Sequence, residues 1–171
     1  MTTSRPFRLV PLLIIGLFAI FFASAQAGLL QGQPATSLGV THGKLAPPSA
    51  TANSVSSQAY LYPDHPQRAY ASVEPFRPAP GETLVAAWQR LGALVSTTPD
   101  VTVTETRADY LRAEATTRWL RFVDDVEWWR DDANDVIHVR SASRLGQRDF
   151  GANRLRIEAW RAAFDAGPAT Q

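Results

Sequence analysis

The residues best suited to chemistry lie in two adjoining stretches. Asp124, Asp125 and Glu127 fall in Arg121-Phe-Val-Asp-Asp-Val-Glu-Trp-Trp-Arg130, and His138, Arg140 and Arg144 in Val136-Ile-His-Val-Arg-Ser-Ala-Ser-Arg144. Carboxylates beside an imidazole can serve as a general acid/base pair or hold a metal ion. In an extended chain, however, Asp124 points away from Asp125 and Glu127, so one face holds two carboxylates and His138. Arg112 and Arg140 lie on or near that face and neutralise it. A cross-strand ladder, with Glu127 opposite Arg140 and Arg112 beside Glu114, is the simplest expectation. With His138 as its only nitrogen donor, the face is expected to hold neither a metal nor a cofactor.

A second constellation suits an anion. Arg140, Arg144, Arg154 and Arg156 flank the start of a C-terminal helix, with Ser141, Ser143 and Asn153 nearby. A helix N-terminus offers unpaired N–H groups and partial positive charge, and Arg adds bidentate geometry. Asp149, in Asp149-x-Gly151-x-Asn153, is a candidate cap. The competing expectation is that Arg144 and Arg154 pair with Asp124, Asp125 or Asp149 and lock strand to helix. Trp129, beside Arg140, offers a stacking surface for a flat ligand unless the Tyr60–Pro80 segment covers it. Trp119 ends its strand. No Gly-x-Ser-x-Gly, phosphate-binding Gly-rich loop or two-His zinc motif occurs, and Ser56-Ser57 stands in no recognisable pattern with a His.

These side chains need a scaffold to position them. Leu84, Trp88, Leu91 and Val95 recur at helical spacing and predict a helix from Glu82 to Val95. Val101–Thr106 alternates and is β-branched, and a second strand begins at Tyr110 with Leu111, Ala113 and Ala115 on its apolar side. Phe122–Arg130 and Val136–Ser143 read as a hairpin. A two-residue loop centred on Ala133-Asn134 or on Asn134-Asp135 gives the same division of faces. Asp125, Glu127 and Trp129 then lie with His138, Arg140 and Ala142 on the polar face; Val126 and Trp128 lie with Ile137, Val139 and Ser141 on the other. Ile157, Trp160 and Phe164 stripe a last helix from about Ala152 to Ala166, stopped by Gly167-Pro168. A Pro-tolerant edge strand is expected near Ala71–Phe76. The fold class is therefore α+β: a two-layer domain with an antiparallel four- to five-stranded sheet and two helices on one face.

The chain has 171 residues, no Cys and a formal net charge of +1. Setting aside Arg5 and Arg8 leaves 15 basic against 16 acidic residues, with no concentrated basic face for a phosphate backbone, so no nucleic acid is expected as a partner. Thiolate metal sites and disulfides are excluded. Arg5 and Arg8, the apolar run Leu9–Ala23, and small-x-small patterns at Ala23-Ser-Ala25 and Ala25-Gln-Ala27 make residues 1–27 a signal peptide or N-terminal anchor. Pro11 and Gly16 make that run a poor helix, and it is short for a membrane span. An exported, periplasm-facing protein follows, touching membrane only through this segment if it is not cleaved. Residues 28–58, rich in Gly, Ser, Ala, Thr and Pro, read as flexible linker passing into an ordered loop; 59–166 as one α+β domain; 167–171 as a tail.

Leu45-Ala-Pro, Asn53-x-Val-Ser-Ser57, Tyr110-Leu-Arg-Ala-Glu114, Arg121-Phe-Val-Asp-Asp-Val-Glu127, Val136-Ile-His-Val-Arg-Ser-Ala-Ser-Arg144 and Asp149-x-Gly-x-Asn-Arg154 together resemble the bacterial and plastid family called domain of unknown function 1499, over roughly residues 40 to 165. Members of that family often carry a Cys pair where this chain has Pro48 and Ser54, so no role of that pair transfers here. The resemblance implies no activity. From the residues, the expected function is non-catalytic binding of a small anionic ligand or an envelope partner. Its pocket is expected among the polar side of the hairpin, the loop bearing Asn53, Ser56 and Ser57, and the start of the last helix. The alternatives are a hydrolase-like enzyme using Asp125 or Glu127 with His138, and a purely structural module. An enzyme should leave a carboxylate unpaired in a cleft; a binding protein should engage Asp125 and Glu127 with Arg.

Overall fold

Alternating apolar and polar residues over 101–143 force strands, and two apolar stripes at helical spacing cover the side of the sheet those strands leave dry. The computed structural model describes residues 9–167. Arg5, Arg8 and Pro168, which figure in the readings of the leader and of the last helix's stop, lie outside them. The elements are α1 (Leu9–Gln26), β1 (Ser54–Ser56), a 3-10 turn (Ala59–Leu61), α2 (Arg68–Ala71), α3 (Leu84–Ser96), β2 (Val101–Thr106), β3 (Tyr110–Thr116), β4 (Val123–Asp131), β5 (Val136–Ser143) and α4 (Ala152–Asp165). The five strands form one open antiparallel sheet in the order β1-β5-β4-β3-β2.

One face of the sheet carries the core. Leu111, Ala113 and Ala115 of β3, Val126 and Trp128 of β4, and Ile137 and Val139 of β5 meet Leu84, Leu91 and Val95 of α3 and Ile157, Trp160 and Phe164 of α4. Trp128 and Trp160 rings lie 5.1 Å apart, and Phe76 meets Phe164 edge-on at 5.3 Å. Trp88 is only half-buried; Ala87 takes the innermost place on α3. The Thr83 side chain caps α3 by accepting from the Ala86 N–H at 3.2 Å, so the helix starts just after the expected Glu82.

Three expectations need correction. The edge strand is Ser54–Ser56, paired with β5, and not Ala71–Phe76. Ala71 closes α2, and Phe76 makes a single reciprocal bridge with Ile137, each N–H donating across 2.9 Å. Pro75 and Pro78 lack N–H donors, so no longer ladder can form there. The hairpin loop is also longer than two residues. Asp131 pairs with Val136, leaving four residues centred on Ala133-Asn134. The Asp131 carboxylate accepts from the Ala133 and Asn134 N–H groups, and Asp135 alone of the loop takes positive φ. The parity of the pairing, and hence the division of faces, is as expected. Third, α1 runs through Pro11 and Gly16. Pro11 falls in the first turn, where its missing N–H has no helical partner to lose, and one Gly costs only about 1 kcal/mol.

Most large apolar side chains of α1 are exposed. At 18 residues it is about 27 Å long, against a hydrocarbon core of about 30 Å. No helix among the described residues is long and apolar enough to cross a membrane.

The polar face of the sheet is covered as well. The stretch from Gly39 to Pro48 lies across it: the Gly39 N–H donates to Glu127, the Leu45 N–H to the Gln58 side chain, and Pro47 O accepts from Arg140. Leu45 and Pro48 are buried. Ser54 Oγ accepts from the Ser49 N–H at 2.8 Å, so a hydrogen bond closes the loop between Ser54 and the residue after Pro48.

Candidate functional site

Three polar networks surround the hairpin, and they differ in what their charges are free to do. The first is the ladder on the covered face. Glu127, fully buried, accepts from Arg140 Nη1 at 3.2 Å, from the Tyr110 hydroxyl at 2.8 Å and from the Gly39 N–H at 2.6 Å. Asp125 takes a bidentate pair from Arg144 at 2.8 and 2.9 Å and a third bond from Arg112 at 3.0 Å. Burial pushes the Asp125 carboxyl upward, but the Arg144 and Arg112 guanidiniums outweigh it and hold the group below its ordinary value. The Arg144 guanidinium is held charged by the same bonds. Burial, then the Glu127 charge, pushes the Tyr110 phenol far up, so it acts only as a donor.

The second network ties β1 and β5 to the start of α4. Asn153, fully buried, accepts from Ser141 Oγ and Arg156 Nη1 and donates to Asn53 O, Ser143 Oγ and Asp149 Oδ2. Arg156 pairs with Asp124 at 2.6 Å. Asp149 accepts from the N–H groups of Gly151 and Asn153 and from the Tyr70 hydroxyl, filling the position an external anion would take. Arg154 donates to the backbone carbonyls of Tyr70 and Ser72 and meets no carboxylate among the described residues. The anion pocket expected around Arg140, Arg144, Arg154 and Asn153 is therefore occupied by the protein's own carboxylates and carbonyls. The reason is geometric: Arg140, Arg144 and Arg156 each stand across a strand or a helix turn from an acid of the same chain, and Arg154 reaches backbone carbonyls.

The third network opens on a cavity. Ser57 Oγ lies 3.1 Å from His138 Nδ1 and accepts from the Val139 N–H at 2.9 Å. His138 Nε2 faces Asp131 Oδ2 at 3.6 Å, and Trp129 stacks on the imidazole with ring centres 5.6 Å apart and planes 17° from parallel. The backbone near Gly43 approaches the outer edge of Trp129; a Cβ there would sit 3.6 Å from its ring. Burial pushes His138 below its ordinary value, against the pull of Asp131, so the ring is neutral at pH 7. Ser56, Ser57, Tyr60, Arg77, Asn134 and His138 line a cavity of about 430 Å³. Arg77 stands at this cavity exposed, in no ion pair among the described residues. Among those residues no three acidic or imidazole side chains converge to hold a metal.

Of the expected site residues, only Ser56, Ser57, His138 and, through its stacking, Trp129 come together at open space. Asp125 and Glu127 are engaged by Arg in the expected cross-strand ladder, and the alternative carboxylate/His pairing with His138 does not form. Asp131 and Arg77 were missed. Asp131 shares the odd parity of Asp125, Glu127 and Trp129, so the signal was present, but its Asp-rich loop read as turn. Arg77, between Phe76 and Pro78, carries no sequence signal.

An antiparallel sheet with two helices on one face and an internally neutralised charge ladder on the other defines an α+β domain of the kind the motifs suggested. Residues 44–164 match the family described as "Protein of unknown function (DUF1499)", and the chain belongs to that family. No curated protein and no solved structure matches it.

Proposed function

We propose that this chain is an exported cell-envelope protein whose folded domain binds a small anionic ligand in the cavity lined by Ser57, His138 and Arg77. The observation that carries the reading is the contrast among the arginines. Arg112, Arg140, Arg144 and Arg156 each meet a carboxylate, whereas Arg77 meets none among the described residues and faces a cavity of about 430 Å³. That volume suits a small molecule, for which sites of roughly 300–1,000 Å³ are usual. Ser56, Ser57 and Asn134 add uncharged polar groups to fix orientation. Export rests on the basic residues before the apolar run and on the small-x-small patterns after it.

A thermal-shift screen of the full chain against orthophosphate, sulfate, succinate and glutarate tests the binding. At about 100 times its dissociation constant, a ligand adds about 2.7 kcal/mol of stability. The expected result is a shift in the wild type that disappears in Arg77→Ala. An equal shift in Arg77→Ala would place the anion elsewhere. No shift with any anion would leave an envelope protein as the partner to seek.

A further inference from the structure

We infer that Ser57, His138 and Asp131 form a nucleophile–base–carboxylate relay, and that the cavity hydrolyses a small carboxylic ester bearing a second, anionic group. The substrate class rests on the reading of the cavity as an anion site. Four carboxylates of the hairpin are buried: Asp124, Asp125, Glu127 and Asp131. The first three each meet a guanidinium; among the described residues Asp131 meets only the imidazole of His138 and the hydrogen bonds of its own turn. Those turn bonds fix the carboxylate in place. Its charge beside Nε2 favours the tautomer with the proton there, which leaves Nδ1 unprotonated toward the Ser57 hydroxyl at 3.1 Å. Ser57 and His138 are 81 residues apart in the chain and meet only because β1 pairs with β5. Both face open space, as a nucleophile and its base must.

The chemistry balances with water as the only co-reactant. Ser57 Oγ bonds to the ester carbon as its proton passes to His138 Nδ1. The Val139 N–H, 2.9 Å from Oγ, stabilises the oxygen as that proton leaves. The carbon–oxygen bond to the alcohol breaks, and His138 returns the proton to the departing oxygen. Water then attacks the acyl-serine, giving its proton to His138, which passes it back to Ser57 as the acid leaves. Arg77 holds the substrate's anionic group. Asp131 is a positioning residue: it acts through the imidazole and touches no substrate.

The test treats the full chain with a fluorophosphonate probe, maps the adduct by mass spectrometry, and compares turnover of 4-nitrophenyl acetate with that of the 4-nitrophenyl monoester of glutaric acid. One adduct, at Ser57, is expected. His138→Gln should slow labelling roughly a hundredfold. Ser57→Cys keeps an acceptor for the Val139 N–H and guards against loss of the fold; it should take one iodoacetamide instead, in a chain with no other Cys. Asp131→Asn should move the midpoint of the labelling-rate pH profile downward, which a merely structural role would not do. No Ser57 adduct, or equal labelling in His138→Gln, overturns the relay even where orthophosphate or glutarate still shifts the melting point, so that the anion reading survives it. A Ser57 adduct with equal turnover of the two esters overturns the anionic substrate class.

Discussion

Four carboxylates are buried within one hairpin, and the group each faces decides what it can do. Asp125 under Arg144 and Arg112 is committed to the fold. Removing Arg144 takes away two of the three guanidinium bonds to Asp125 and leaves Arg112 alone to hold it, so Arg144→Ala should cost about 2–3 kcal/mol, read by denaturant melting; a loss within 0.5 kcal/mol would mean the pair is only a surface contact. The same groups set the acid limit of the fold, in two stages. His138 has a folded value below the ordinary 6.5, so it binds fewer protons folded than unfolded. Its contribution is complete above 6.5 and is lost as pH falls from there through the folded value. Asp125 and Asp149, held below the ordinary 3.8, keep their contribution above that value and lose it as pH falls below. Stability measured against pH should therefore fall first below about 6.5 and again below about 4, and His138→Gln should remove only the first step. A single acid transition in the wild type would contradict this. At this scale the sequence was half legible. Strand parity put Glu127 opposite Arg140, but parity cannot say that Asp131 turns toward His138 or that Arg77 stays unpaired.

Among the elements, those with strong periodicity were legible. β2, β3, β4, β5, α3 and α4 stand where alternation and apolar stripes place them, within a residue or two. The β5 edge was not legible. Ser54-Val-Ser56 is three residues of weak pattern, and its place is fixed by Val55 entering the core and by pairing with Ala142, Ser141 and Arg140. Phe76 extends that edge by one bridge and packs edge-on against Phe164, with the Arg161 guanidinium 4.6 Å from its ring centre. Phe76→Ala should therefore cost about 3–5 kcal/mol, as for other fully buried aromatics. Because Phe76 positions Arg77, the same change should weaken anion binding beyond its effect on stability. Unchanged anion affinity in a folded Phe76→Ala would show that the rim of the cavity is set elsewhere.

As a whole molecule, the domain is a sheet with two dissimilar sides. The dry side is covered by α3 and α4; the charged side is covered by the chain from Gly39 to Pro48, and a cavity opens at the end near Ser57 and His138. Composition showed that residues 28–58 are poor in large apolar groups, but not that the later part would be held by Glu127, Gln58 and Arg140, because those contacts are polar and long-range. The segment before them carries the export proposal: the chain should be recovered from the cell envelope, either full-length or beginning just after Ala25 or Ala27, and recovery only from the cytoplasm would contradict it. The central claim is that the open end, with its unpaired Arg77, is an anion site. NMR titration of the His138 ring signals with glutarate and orthophosphate tests it most directly. Saturable shifts of those signals in the wild type, absent in Arg77→Ala, are the predicted result; ring signals unmoved at saturating anion would contradict it.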